Sequence, residues 1–102
     1  TTLGGTGSSG SANGTGTSAS FNFPDGITTD GTNLYVADVS NHLIRQIVIS
    51  TGVVTTVAGT GSSGSVNGTG TSASFYDPTG ITTDGTNLYL TETGNYLIRQ
   101  IE

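Results

Sequence analysis

A 54-residue internal repeat, four short β-prone runs joined by tight turns, and a glycine-rich linker leading into a second such unit predict an all-β fold. The expected architecture is a β-propeller built of four-stranded antiparallel blades, two blades to the chain. Thr1–Val48 and Thr55–Glu102 align at an offset of 54 residues, with 35 of the 48 aligned positions identical. Repeats of this length build solenoids and propellers because a single unit cannot bury its apolar face alone. Two copies are few for a self-sufficient core.

Gly26-Ile27-Thr28-Thr29 is β-prone and ends at Asp30-Gly31-Thr32-Asn33, a strong hairpin signal. Asn33–Ala37 is strand two. Asp38-Val39-Ser40-Asn41 carries short polar side chains that bond back to the backbone in turns, and Leu43–Ile49 follows as strand three. After a second tight turn at Ser50-Thr51-Gly52, Val53–Ala58 is strand four. A crossover from Gly59 to Pro78 then leads to Gly80–Thr83, Asn87–Thr91 and Leu97–Ile101, which repeat the first three strands. The repeats are thus 1–54 and 55–102, with blade one at roughly 26–58 and the strands of blade two at 80–101. Apolar pairs such as Leu43-Ile44 and Val53-Val54 suit sheets covered on both faces, and β-branched content with flanking glycines favours strand over buried helix.

Gly, Ser and Thr make up 49 of the 102 residues, yet charged residues are only 9%. Disordered chains usually combine low hydrophobicity with high charge, so an ordered chain is expected. Seven carboxylates face two arginines and no lysine, for a net charge of -5. That balance argues against nucleic acid, whose binding draws on cationic contacts to phosphate, and against an anionic membrane surface. There is no cysteine for a disulfide or thiolate site. No apolar run reaches the ~18 residues of a membrane span and no signal sequence is present, so a soluble chain is expected. Its compartment is left open, an extracellular or cell-surface parent included.

Pro24–Asp38 followed by Asn41–Ile47 resembles the NHL repeat, whose name-giving tripeptide stands here as Asn41-His42-Leu43. The second copy keeps the pattern as Pro78–Glu92 and Asn95–Ile101, with Tyr96 in place of histidine. Once the linkers are counted, the resemblance covers the whole chain. It implies a propeller, most often six-bladed, in a family with protein-binding, RNA-binding and enzymatic members, so it speaks to fold more than to activity.

In this register Thr1, Thr2 and Leu3 match strand four of a preceding blade, while the chain's last strand is strand three of its second blade. We therefore expect each chain to lend Thr1–Leu3 to the edge formed by Leu97, Ile98 and Ile101 of a neighbour, closing a homo-oligomeric ring head to tail. A trimer with six blades comes first and a tetramer with eight second.

Several motifs have plainer readings. Gly5-Thr6-Gly7-Ser8-Ser9-Gly10 and Gly59-Thr60-Gly61-Ser62-Ser63-Gly64 fit G-x-G-x-x-G, but glycines follow where a dinucleotide site needs a helix. Asn13-Gly14-Thr15 and Asn67-Gly68-Thr69 are glycosylation sequons that also read as glycine turns. Asp30 and Asp84 start tight turns, and Asp38 is expected to accept backbone hydrogen bonds in its loop. Arg45 and Arg99 are read as partners in an inter-blade ion pair or as packing stems. No spacing matches a calcium loop, and the lone His42 is more plainly a packed or surface imidazole than a ligand. No cofactor, metal or catalytic residue is assigned.

Eight of the 13 differences between the copies fall in two windows, around Asn22–Asp25 and Ala37–His42 and their equivalents. In a propeller both emerge on one face, and loops on a rigid scaffold are where binding residues usually sit. The candidate contact residues are Phe23, Asp25, His42, Tyr76, Asp77 and Tyr96. A non-catalytic self-assembling repeat chain, either a fragment or a designed protein, is the first functional reading. A protein- or glycan-binding module using this face is the second, and a metal-dependent enzyme the third.

Overall fold

The computed structural model describes all of Thr1–Glu102. Its strands are β1 (Gly14–Thr15), β2 (Pro24–Thr29), β3 (Asn33–Asp38), β4 (Leu43–Val48), β5 (Val53–Ala58), β6 (Pro78–Thr83), β7 (Leu88–Glu92) and β8 (Leu97–Ile101). They form two antiparallel sheets, one ordered β1-β5-β4-β3-β2 and one ordered β6-β7-β8. The strand expectations hold to within two residues at each end. The two-residue β1, at the outer edge of β5, comes from the glycine-rich segment that sequence reading left as linker.

Each β2–β3 and β6–β7 hairpin closes through its aspartate. Asp30 Oδ1 accepts the amides of Thr32 (2.9 Å) and Asn33 (2.8 Å), and its Oδ2 accepts the Tyr35 hydroxyl at 3.1 Å. Asp84 repeats the pattern with Thr86, Asn87 and Tyr89. These bonds favour the charged carboxylate and hold both aspartates below their ordinary value, chiefly through the Asn33 and Asn87 amides.

The sheets pack through their first strands, β2 against β6. Gly26 permits that approach, since a side chain there would meet the Thr79–Ile81 backbone, with Gly80 Cα 3.0 Å away. Ala37, Ile44 and Ala58 of the first sheet bury against Ala73, Phe75, Leu88 and Leu90 of the second copy. Ala19, Val36, Ile47 and Val54 form a smaller cluster. Only 20 of 102 residues are buried, which bears out how little core this composition can build alone.

Thr1–Leu3 is exposed and pairs with no strand within the chain. One expectation needs revision. Arg45 and Arg99 do not bridge blades: each pairs with a carboxylate of its own sheet, Asp38 at 2.9 Å and Glu92 at 2.7 Å. Adjacent antiparallel strands bring residues seven apart across the hairpin closer than any residue of the next sheet. The glycine-rich G-x-G-x-x-G segments open no α-helix and reach only a single 3-10 turn, at Gly16–Ser18 and Gly70–Ser72.

Candidate functional site

The crossovers bury few apolar side chains, chiefly Ala19, Ala73 and Phe75, and a polar clamp adds to their hold. Arg45 has no exposed surface; its Nη1 donates to Asp38 Oδ2 (2.9 Å) and the Ser20 carbonyl (2.8 Å). Its Nη2 donates to the Ala12 carbonyl and Asn13 Oδ1, both at 2.9 Å, and its guanidinium lies 4.9 Å from the Phe21 ring centroid. Asp38, also fully buried, accepts the Asn22 amide and Asn41 Nδ2, each at 2.8 Å. Asn41 in turn donates to the Gly10 carbonyl at 2.7 Å. Glu92, Arg99, Asn95 and Phe75 repeat the arrangement, including a hydrogen bond from Asn95 Nδ2 to Glu92 Oε1. Fixed donors at short range satisfy the buried carboxylates, and each arginine reaches backbone carbonyls that would otherwise be orphaned, with Arg45 Nε left without a partner.

The clamp positions the face that the repeat comparison singled out. The Asn22 amide is tied to Asp38, and the Val39 and Ser40 amides donate to the Phe23 (3.3 Å) and Asn22 (3.0 Å) carbonyls. Crossover end and strand two–three loop are therefore one surface. Thr93 and Gly94 bind Asp77 and Tyr76 in the same way, at 3.1 Å. Between the sheets, His42 Nδ1 accepts the Asp77 amide at 3.2 Å and lies 3.7 Å from its Oδ1, and the His42 and Tyr76 rings meet edge to face at 5.7 Å.

Of the candidate residues, His42, Tyr76 and Asp77 are brought together. Phe23 (75% exposed) stands at the same rim, Asp25 is exposed on β2, and Tyr96 (93% exposed) projects alone from the second sheet. Sequence reading missed the backbone here. Phe23 (φ 61°), His42 (55°), Asp77 (51°) and Tyr96 (59°) are the four non-glycine residues with positive φ, and they occupy two repeat-equivalent positions. Phenylalanine and tyrosine rarely adopt this region, at a cost of about 1–3 kcal/mol each, and such strain clusters at functional surfaces. Sequence reading also missed the clamp, although a carboxylate replaced by a carboxylate, Asp38 by Glu92, inside an otherwise variable window was a usable signal.

Two antiparallel sheets packed through their first strands, with crossovers and loops gathered on one face, define a β-propeller segment. No protein-family model matches the chain. NHL repeat-containing protein 2 of chicken (Gallus gallus) is 46% identical over 63 residues, which is 62% of this chain and 8% of that protein. An auxiliary nutrient binding protein from Bacteroides thetaiotaomicron superposes with a TM-score of 0.88 at 28% identity, over 98% of this chain and 28% of that one. A second structure from that organism, described as a phosphatase candidate, gives a TM-score of 0.83 at 25% identity, over 97% of this chain and 25% of that one. Over those 63 residues the chain is similar to an NHL-repeat protein. It spans less than a tenth of the length of the curated relative it matches. No helix is long and apolar enough to cross a membrane.

Proposed function

We propose that this chain is a non-catalytic, self-assembling propeller segment that closes head to tail with copies of itself into a ring of four-stranded blades. Three chains and six blades are the favoured ring, and four chains with eight blades the competitor. One observation carries the reading: the interface buried between the two sheets is bare on both outer sides. Ile44 (0% exposed) and Leu43 (7%) are buried in the first sheet, whereas their equivalents Ile98 and Leu97 are 73% and 43% exposed. Phe75 is 1% exposed and faces the first sheet, while its equivalent Phe21 is half-buried. Burying one isoleucine side chain is worth about 1.5–3 kcal/mol, so joining these halves is favourable. Light scattering across a dilution series should return three times the 10.2 kDa chain mass, and Ile98→Asp should leave smaller species. A stable monomer with undiminished β-sheet signal overturns the proposal.

A second reading, that the loop face binds a protein or glycan, is favoured by the four left-handed residues gathered there and by the likeness to a nutrient binding protein. Tyrosine offers large contact area at low entropic cost, which suits Tyr76 and Tyr96 as anchors. Catalysis ranks behind both, since the single histidine already accepts a backbone amide through Nδ1.

A further inference from the structure

On the loop face the two sheets meet through one titratable contact. His42 Nδ1 accepts the Asp77 amide at 3.2 Å, so the imidazole there is neutral and carries its proton on Nε2. The Asp77 carboxylate lies beside it, with Oδ1 3.7 Å from the same nitrogen, and the Tyr76 ring meets the imidazole edge to face at 5.7 Å. The crossover end that bears these groups is anchored from its other side. There the Tyr76 amide donates to Glu92 Oε1 (2.8 Å), and the Tyr76 and Asp77 carbonyls accept the Gly94 and Thr93 amides, both at 3.1 Å. Of the charged groups on the surrounding elements, Asp38 is paired with Arg45 and Glu92 with Arg99, while Asp25 is exposed on β2. Gly59, which packs against the His42 carbonyl, opens a segment with no titratable side chain as far as Phe75.

We propose that His42 is a proton-operated latch between the two sheets, holding the Asp77 amide when neutral and the Asp77 carboxylate when charged. A proton taken from solvent onto Nδ1 fills the lone pair that the amide uses, which sets two N–H donors against each other. The anchored crossover cannot back away, so the imidazole turns. Its new N–H finds the carboxylate oxygen already alongside and makes a charge-assisted hydrogen bond to it. The exchange frees the Asp77 amide and tilts the ring that Tyr76 packs against. It also puts a positive charge on the loop face of a chain whose two arginines are both buried. Histidine is the side chain whose charge ordinarily changes between about pH 5 and 8, which is the range in which the latch works. It occurs once in the chain, because the repeat-equivalents of His42 and Asp77 are Tyr96 and Phe23, which offer neither an imidazole nor a carboxylate. The latch acts within one chain, whether or not copies join.

His42 is the only histidine in the chain, so its ring can be followed alone by nitrogen NMR of the uniformly labelled native protein, titrated between about pH 8 and pH 5. At the alkaline end Nδ1 should be the unprotonated ring nitrogen. As pH falls, the Asp77 amide resonance should shift with the same midpoint as the ring. Its exchange protection, corrected for the intrinsic rate, should drop about two- to tenfold, as for one lost hydrogen bond. His42→Gln, whose side-chain carbonyl can accept that amide at any pH, should hold the Asp77 amide constant over the same range. Asp77→Asn keeps the backbone donor but removes the charged acceptor, and should move the ring's midpoint to lower pH. A ring that carries its proton on Nδ1 at the alkaline end overturns the latch. So does an Asp77 amide that ignores the ring's midpoint in the native protein, or a midpoint that Asp77→Asn leaves in place.

Discussion

Asp38→Ala removes the anion at the centre of the first clamp. The carboxylate is fully buried and accepts three hydrogen bonds, from the Asn22 amide, Asn41 Nδ2 and Arg45 Nη1, at 2.8, 2.8 and 2.9 Å. Without it the Arg45 guanidinium keeps its place among carbonyls and the Phe21 ring with no counter-charge. Removing one partner of a buried ion pair costs about 3–5 kcal/mol, and each orphaned amide adds up to about 1–3 kcal/mol where water cannot reach it. A loss of at least about 3 kcal/mol is therefore expected, a large part of the ~5–15 kcal/mol that stabilises a typical domain. Urea unfolding followed by circular dichroism at fixed chain concentration measures it. Asp25→Ala, at an exposed carboxylate, serves as control and should change stability by no more than about 0.5 kcal/mol. Asp38→Glu, the residue that the second copy uses, should lose less than the alanine variant. An Asp38→Ala loss below about 1 kcal/mol, or one equal to that of the control, refutes the argument that the clamp holds the crossover.

The turn aspartates set an acid dependence. Asp30 and Asp84 are lowered by amide hydrogen bonds, so their stabilisation is full above the unfolded value of about 3.9 and fades as pH falls through the folded value. The stability gap between the native chain and Asp30→Asn/Asp84→Asn should shrink below about pH 4; a gap constant from neutral pH into acid would remove the turn carboxylates from the account. On the loop face, Tyr76→Ala/Tyr96→Ala should abolish any signal that the native protein gives on a glycan array while leaving its light-scattering mass unchanged. An unaltered array signal rejects the two tyrosines as anchors.

The hairpins were legible because their signals are local. Asp30-Gly31 and Asp84-Gly85 specify turns through bonds made within three residues, and the 54-residue echo transfers each assignment from one copy to the other. The loop face was legible for a different reason: its positions differ between copies while the opposite Asp30–Asn33 turn does not. Left-handed backbone at Phe23 and Tyr96 was not legible, since neither residue type signals that conformation. Nor was the destination of Arg45, which depends on which strand lies beside β4 and on where a glycine-rich crossover runs.

By itself, then, the amino-acid sequence determined the strands, the turns, the repeat and the family pattern, all consequences of short-range backbone preference and of repetition. Tertiary structure alone decided that Arg45 and Arg99 turn inward to Asp38 and Glu92, and that His42 meets Tyr76 and Asp77 across the sheets. It also decided that the half-interface buried at Leu43 and Ile44 lies open at Leu97 and Ile98. The physical reason is distance along the chain: a buried charge takes whichever partners packing brings within 3 Å. In the first copy those partners lie as far as 33 residues from Arg45, beyond the reach of any local rule.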